Sequence, residues 1–540
     1  LGVLNVFLVC VLSIMFAMGC GGWMGVGLTP VAAGAPIIIV TLAVADAIHL
    51  LVTTVNKMRE GVTQRDSILY SLRVNFKPVL LTSVTTAIGF LSLNFSDSPP
   101  FHDLGNISAI GVMAAWFYSI TLIPILVSYL PLGKPKKTIK VLDGFMTTLG
   151  VAVADNYKKI LTFGIPLSVV IVALIPLNQI NDDFVKYFDE STDFRKDTDW
   201  ISENLTGTNI IQFSIPAGES NGVSDPLFLK NVADFTDWSR SQKEVTNVLS
   251  ITDVFKRLNR DLNLGNSDYY VIPDSRELAA QYLLLYELSL PFGLDLNNQL
   301  DINKSSTQVL VTLEDMSTNE LRAWTAKAEK YISDNMGINL TAVGPTVMFA
   351  YISERNIEGM LFGTIIAVFI ISGLILIALR DVRLGLISLI PNLLPAALAF
   401  GVWGLLVGQV NLAVSVVTGL ALGIVVDDSV HFLTKYQLAR RELKLNPRDA
   451  VISAFSNVGT ALVVTTLILV AGFFVLAQSS FGVNSITALL TAIAISIALI
   501  ADLTLLPALL IALDKDSRQE KTSQDTLEVS SLDQTNKIPT

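Results

Sequence analysis

Residues 419–434 read Gly-Leu-Ala-Leu-Gly-Ile-Val-Val-Asp-Asp-Ser-Val-His-Phe-Leu-Thr. Two carboxylates, Asp427 and Asp428, and one imidazole, His431, stand inside a run that is otherwise apolar enough to cross a bilayer. An ionisable residue at the centre of a membrane helix costs about 2.5–3.5 kcal/mol on insertion scales. The chain accepts that cost twice. Asp46-Ala47-Ile48-His49 matches Asp428-Ser429-Val430-His431 at an offset of 382 residues. Gly89-Phe90 matches Gly472-Phe473, and Thr121-Leu122-Ile123-Pro124 matches Thr504-Leu505-Leu506-Pro507, both at an offset of 383. One single-residue indel reconciles all three. Short apolar matches alone would say little, but a charged D-x-x-H pair duplicated inside two spans marks an internal repeat.

Working outward, ten segments reach the roughly 20 apolar residues that a bilayer crossing needs. They are 2–23, 31–55, 78–95, 107–131, 159–179, 359–379, 384–408, 410–434, 459–478 and 485–512. The loop at 56–77 carries Lys57, Arg59, Arg65, Arg73 and Lys77. The one before the fifth span carries Lys134, Lys136, Lys137, Lys140 and Lys158, and the one before the ninth carries Lys435, Arg440, Arg441, Lys444 and Arg448. With Arg380 and Arg383 these fall on one side, which the positive-inside rule makes cytoplasmic. Residues 180–357 then lie outside. Between 178 and 357 there are 15 basic and 27 acidic residues, enough chain for a domain of its own.

Strand-like Ile210–Ile215 and Val309–Leu313, with helical 225–240 and 318–334, predict an α+β domain with βαβ-type units. Leu340–Val343 reads as a further short strand. The expected division is a first membrane bundle over 1–131, a cytoplasmic linker over 132–158 and a transmembrane helix over 159–179. The outer α+β domain follows over 180–357, then a second bundle over 358–513 and a disordered polar tail over 514–540. Equivalent spans of the two repeats are separated by an even number of crossings. The repeats are therefore of the parallel kind, related by an axis along the membrane normal. The second copy contains a span and an outer domain that the first lacks, so two spans and a first outer domain are expected before Leu1.

Of 540 residues, 51% are hydrophobic and 16% charged, the mean hydropathy is +0.56 and the net charge −10. These values exclude a disordered chain and a coiled coil, and argue against nucleic-acid binding. Cys10 and Cys20, both in the first apolar run, do not make a disulfide scaffold. Walker, G-x-S-x-G, H-E-x-x-H and Cys-rich metal motifs are all absent, so neither enzymatic chemistry nor direct use of ATP is expected. Two Asp–His pairs could supply four metal ligands. Carriers of soft metals, however, tend to line their route with Met or Cys, so metal transport is disfavoured and no metal or cofactor is expected.

The remaining reading is a proton relay. Asp and His at i, i+3 share a helix face, and side by side they titrate as a coupled unit. The candidate relay is Asp46, His49, Asp427, Asp428 and His431, with Thr82 and Thr465 in support because they match at offset 383. Asp502 is a lone intramembrane acid, read as structural. The alternative for each Asp–His pair is a structural clamp between helices. Gly25, Gly27, Gly404 and Gly408 read as small faces for close helix packing.

Gly423-Ile424-Val425-Val426-Asp427-Asp428 resembles the acidic membrane motif of the resistance–nodulation–cell division (RND) superfamily of secondary transporters. The first repeat keeps one of the two acids, with Ala45 where the other would stand. His at Asp+3 in both copies, followed by Tyr436, is similar to the MMPL-type branch, which includes hopanoid-lipid exporters and is related to the Patched-like sterol-sensing proteins. The resemblance covers all but the tail. It implies a polytopic α-helical membrane protein with ten of twelve spans present and a porter-like outer domain, in the plasma (bacterial inner) membrane. It further implies proton-driven export of lipids or other hydrophobic molecules, with homo-oligomerisation and periplasmic partner proteins left open. The departure is the lack of a membrane lysine opposite the aspartates. Two other readings stay open: a sterol- or lipid-sensing receptor without net transport, and an accessory factor for protein translocation. An exporter would hold an apolar cleft in the outer domain, with Tyr282, Leu283 and Leu284 beside Pro291-Phe292 as candidate lining, although ordinary core packing is the first expectation for these residues.

Overall fold

The computed structural model describes residues 2–129, 139–291 and 294–514. The tail beyond 514, the lysines at 134, 136 and 137, and Phe292 lie outside the described residues. The chain divides into two compact units, one of residues 1–179 with 355–540 and the other of residues 180–354.

The first unit is helical. Before residue 180 its helices are α1 (Gly2–Trp23), α2 (Ala35–Arg59), α3 (Gln64–Leu91), α4 (Pro99–Tyr129), α5 (Ile139–Asp155) and α6 (Tyr157–Val172). The second unit holds β1's Ile180, α7 (Asp193–Asn204), β2 (Asn209–Pro216), α8 (Pro226–Arg240), β3 (Val245–Leu249), α9 (Ile251–Leu262), α10 (Arg276–Ser289), β4 (Ser306–Leu313) and α11 (Thr318–Met336), the two-residue β1 being Gln179–Ile180. The chain ends with α12 (Pro345–Leu379), α13 (Val382–Leu406), α14 (Leu412–Arg441), α15 (Pro447–Ala454), a π-helical turn over Phe455–Gly459, α16 (Thr460–Leu476) and α17 (Gly482–Leu513). Among the described residues, ten helical stretches are long and apolar enough to cross a membrane.

Helices outrun the apolar runs that announce them. The loop expected over 56–77 is helical from Gln64, started by Thr63, whose hydroxyl accepts from the Asp66 amide. Pro78 sits inside α3, where its ring removes one backbone donor. Hydropathy sees the apolar stretch, while helical hydrogen bonding continues through polar turns. The expected linker likewise contains α5, which packs on the π turn. Thr147 and Ser456 hydroxyls bond at 3.1 Å, and Arg448 Nη2 lies 2.6 Å from Asp155.

Packing repeats as the sequence does. α1–α4 correspond to α13, α14, α16 and α17. α14 packs on α3 of the other repeat, and α2 packs reciprocally on α16. α14 is the most buried of the membrane-length helices. Its close approach to α3 depends on glycine: a Cβ on Gly89 would stand 2.9 Å from the Gly419 carbonyl oxygen and the Gly423 Cα. Across the same crossing the Thr86 hydroxyl donates to the Gly423 carbonyl at 2.7 Å. The glycines singled out from sequence divide differently. Gly404 packs as expected, with a Cβ there 2.8 Å from the Leu174 carbonyl. Gly25 and Gly27 face nothing within 4 Å. Gly25 and Gly408 have φ of 73° and 71°, the left-handed turns after α1 and α13. Cys10 and Cys20 are both free thiols.

The second unit is α+β. β4 is the central strand of a three-stranded antiparallel sheet in the order β2-β4-β3. β2, α8 and β3 thus form a split βαβ unit with β4 inserted, rather than an adjacent parallel pair. Alternate residues Ile211, Phe213, Ile215, Val309, Val311 and Leu313 face the core against Phe235 and Trp324. Leu340–Val343 contributes only one bridge, Val343 to Gln212. Tyr282 and Leu283 belong to a separate core around Phe255 and Leu229, and Leu284 is exposed. A cavity of about 230 Å³ in this unit is lined by Asp182, Phe184, Tyr187, Met316, Phe349 and Ser353. Tyr187 and Ser353 hydroxyls donate to Asp182 Oδ2 at 2.5 Å. Burial is the largest influence on Asp182 and raises its pKa.

Candidate functional site: a buried Asp–His cluster shared by the two repeats

α2 contributes Asp46 and His49, and α14 contributes Asp427, Asp428 and His431. All five are buried, 8%, 3%, 7%, 5% and 1% exposed in that order. α3 and α16 supply hydroxyls. The two repeats treat their matched carboxylates alike: Ser83 donates to Asp46 Oδ2 at 3.3 Å, and Thr466 donates to Asp428 Oδ2 at 2.9 Å. Ser83 and Thr466 are themselves equivalent positions, one residue after Thr82 and Thr465. Thr465 spends its hydroxyl on the Ala461 and Leu462 carbonyls of its own helix, so it does not support the carboxylate as expected. Thr82 bonds the Val79 carbonyl and also faces Asp427. The sequence carried both registers equally, and a rotation of about 100° about the helix axis separates them.

The histidines do not pair as the i, i+3 spacing implied. His431 Nε2 lies 3.5 Å from Asp427 Oδ1, one turn back at i−4. Positions three and four residues away flank a helical residue almost equally. The choice is made by Thr466, which holds Asp428 on the other side. In α2 the residue four before His49 is Ala45, which offers no carboxylate. His49 instead lies on His431, ring centroids 3.9 Å apart and planes 5° from parallel. One ligating atom each from His49, His431 and Asp427 lies within 4.8 Å of the other two. The asymmetry of the motif thus makes the second repeat's extra acid common to both imidazoles. α2 is anchored here by α3: Asn75 Nδ2 donates to the His49 carbonyl at 3.3 Å and to Thr53 Oγ1 at 3.0 Å.

Asp502 of α17, set aside from sequence as a lone acid, is fully buried and accepts from Ser429 at 2.6 Å. Ser429 adjoins Asp428, so the third acid joins the cluster through α14. His49 Nε2, His431 Nε2, Asp427 Oδ1 and Asp502 Oδ2 are buried without a hydrogen-bond partner among the described residues. Lys435, read from sequence as a loop residue, is half-buried on α14 and is an electrostatic neighbour of both imidazoles. It stands one turn beyond His431, a spacing legible once the helix is known to reach Arg441. His102 lies apart, its ring nitrogen on the Ser96 carbonyl.

The sequence pattern of the MMPL family matches residues 3–154 and 302–526. A membrane protein of Methanocaldococcus jannaschii is 24% identical over 320 residues, covering 58% of this chain and 79% of that protein. The hedgehog release protein Disp of the water bear Hypsibius dujardini superposes with a TM-score of 0.65 at 15% identity, over 95% of this chain and 67% of that one. SecDF, in the form called super-membrane-facing, superposes with a TM-score of 0.53 at 12% identity, over 97% of this chain and 59% of that one. At these identities the two structures are evidence of a shared polytopic helical fold. The family's members are membrane transporters, and this chain belongs to the MMPL family.

Proposed function

We propose that the protein is a secondary transporter driven by the proton motive force, exporting lipids or other hydrophobic or amphiphilic compounds. The observation that carries this reading is the buried cluster itself. Four carboxylates and two imidazoles from both repeats converge in helices long and apolar enough to cross a membrane. Buried ionisable groups in membrane spans mark ion pathways by default. The stacked rings give the relay a built-in alternation. Two imidazolium charges 3.9 Å apart repel by about 4 kcal/mol at an effective dielectric of 20. A proton on His49 therefore disfavours one on His431, and Asp427 can stabilise either. Moving that charge between α2 and α14 changes the force between the repeats, which is how proton flow would drive a conformational cycle.

In this reading the basic loops face the cytoplasm and residues 180–354 lie on the outer side of the plasma membrane. An apolar groove of about 680 Å³ among α1, α3 and α4, lined by Phe16, Met24, Leu91, Met113, Trp116 and Phe117, suits an acyl chain or a ring system and supports a hydrophobic substrate.

The test is proton flux in liposomes of native lipid under an imposed pH gradient. Asp46→Asn/Asp428→Asn should lower it by about 100-fold or more, the scale of losing a positioned proton acceptor. Equal flux in the double variant would sink the relay and favour a lipid-sensing role without net transport.

A further inference from the structure

We propose that His49, His431 and Asp427 form a binding site for a divalent transition-metal ion of the zinc class, which when bound ties the two repeats together and blocks the relay. The inference rests on the preceding reading only for its second half. The metal here is a regulator, not the cargo that the lack of a Met- or Cys-lined route disfavours.

Three observations carry it. First, the donor set is chemically selective: two imidazole nitrogens and one carboxylate oxygen suit zinc and its neighbours, whereas magnesium and calcium prefer oxygen alone. Second, the ligating atoms are already gathered within reach of one ion, and the two stacked rings, 5° from parallel, need only tilt out of the stack to aim both lone pairs at it. The ligating atoms lie within 4.8 Å of one another, and His431 Nε2 stands 3.5 Å from Asp427 Oδ1. Ligands at zinc bond lengths on a tetrahedron stand roughly 3.4 Å apart, so adjustments of the size of a side-chain rotation complete the site. Third, His49 Nε2, His431 Nε2 and Asp427 Oδ1 are each buried without a hydrogen-bond partner among the described residues. A buried polar atom left in that state is costly, and a cation satisfies all three at once.

Asp46, Asp428 and Asp502 are electrostatic neighbours of Asp427, and Lys435 is the basic neighbour of the imidazoles. Three protein ligands leave a fourth position, as in zinc sites that keep an exchangeable ligand. The metal takes the lone pairs that would accept relay protons, so a bound ion and a mobile proton exclude each other. It also bonds α2 of one repeat to α14 of the other, across the interface that has to shift.

The experiment uses the full chain in lipid nanodiscs, stripped with chelator and titrated with zinc chloride by equilibrium dialysis and metal analysis. One zinc per chain is expected, with two imidazoles in its X-ray absorption spectrum and no displacement by a hundredfold excess of magnesium. His49→Gln and His431→Gln should each weaken binding ~10-fold or more while keeping the elution profile and melting temperature of a folded protein. No saturable binding, or equal affinity in both folded variants, overturns the site. Zinc at saturating concentration that leaves wild-type proton flux unchanged overturns the block. The two readings fail separately: zinc bound by both imidazoles alongside normal flux in Asp46→Asn/Asp428→Asn would keep the site and remove the relay, and the reverse result would keep the relay and remove the site.

Discussion

The imidazole of His49 lies flat on that of His431, at 3.9 Å between centroids, although the two residues belong to opposite repeats. A duplicated motif has thereby become one site. Replacing either ring with Gln removes a partner of the other, so the two substitutions should not add. A double-substitution cycle on His49 and His431 is expected to give a coupling of about 0.5–3 kcal/mol in unfolding free energy. Strict additivity would mean that the rings merely share a space.

The hydroxyls beside the carboxylates separate two neighbouring threonines. Thr466 donates to Asp428, whereas Thr465 bonds its own helix backbone. Thr466→Val should lower stability by about 1–3 kcal/mol, because a charged or polar group is left short of a partner, and should slow proton flux. Thr465→Val removes a hydrogen bond that a helix barely needs and should leave flux near wild type. Ser83→Ala should act like Thr466→Val, since Ser83 serves Asp46. Equal flux in Thr465→Val and Thr466→Val would remove the distinction.

How far the sequence reached follows from what periodicity can encode. The repeat, the ten apolar helices and the acids and imidazoles of the cluster were legible because burying charge in an apolar run leaves a mark on composition. The rotation of α3 and α16 is not: offset 383 singles out 82 and 465, of which Thr82 faces Asp427 while Thr465 bonds its own helix, and the matched acids take the next hydroxyls, Ser83 and Thr466. His431 and Asp427 met at i−4 for a similar reason: the helix allows either neighbour, and the decision lies with Thr466 on another helix. Asp502 read as isolated because Ser429, its link to Asp428, carries no charge. In the 180–354 unit, strands were visible from alternation, but the order β2-β4-β3 depends on pairings between residues far apart in the chain.

Helix crossing tolerates no added volume where glycine meets glycine. A methyl at Gly89 would press on the α14 backbone at Gly419 and Gly423, whereas Gly22 in α1 faces nothing within 4 Å. Backbone cannot give way as a flexible side chain can. Gly89→Ala is therefore expected to destabilise by about 1–3 kcal/mol and to disturb flux by displacing α14. Gly22→Ala should be neutral or slightly stabilising. Thermal unfolding in detergent measures both, and a neutral Gly89→Ala would show that α3 and α14 stand further apart than described.

In the 180–354 unit, Asp301 organises the turn before β4. Its Oδ1 accepts from the Ser305 and Ser306 amides at 2.6 and 2.7 Å, and its Oδ2 from the Ser305 hydroxyl at 2.8 Å. The Ser305 hydroxyl, helped by these amides, favours the carboxylate and lowers its pKa to about 2. A folded value below the unfolded one, about 3.9, means that the unfolded chain binds the proton more readily. The stabilisation is therefore complete above pH 4, declines as the pH falls toward 2, and is gone below it. Asp301→Asn should lower the melting temperature of this unit at pH 7 and narrow the gap from wild type as the pH falls through that window. A gap that stays constant from pH 6 to pH 2.5 would assign the loss to the amide's altered hydrogen bonding instead of to charge.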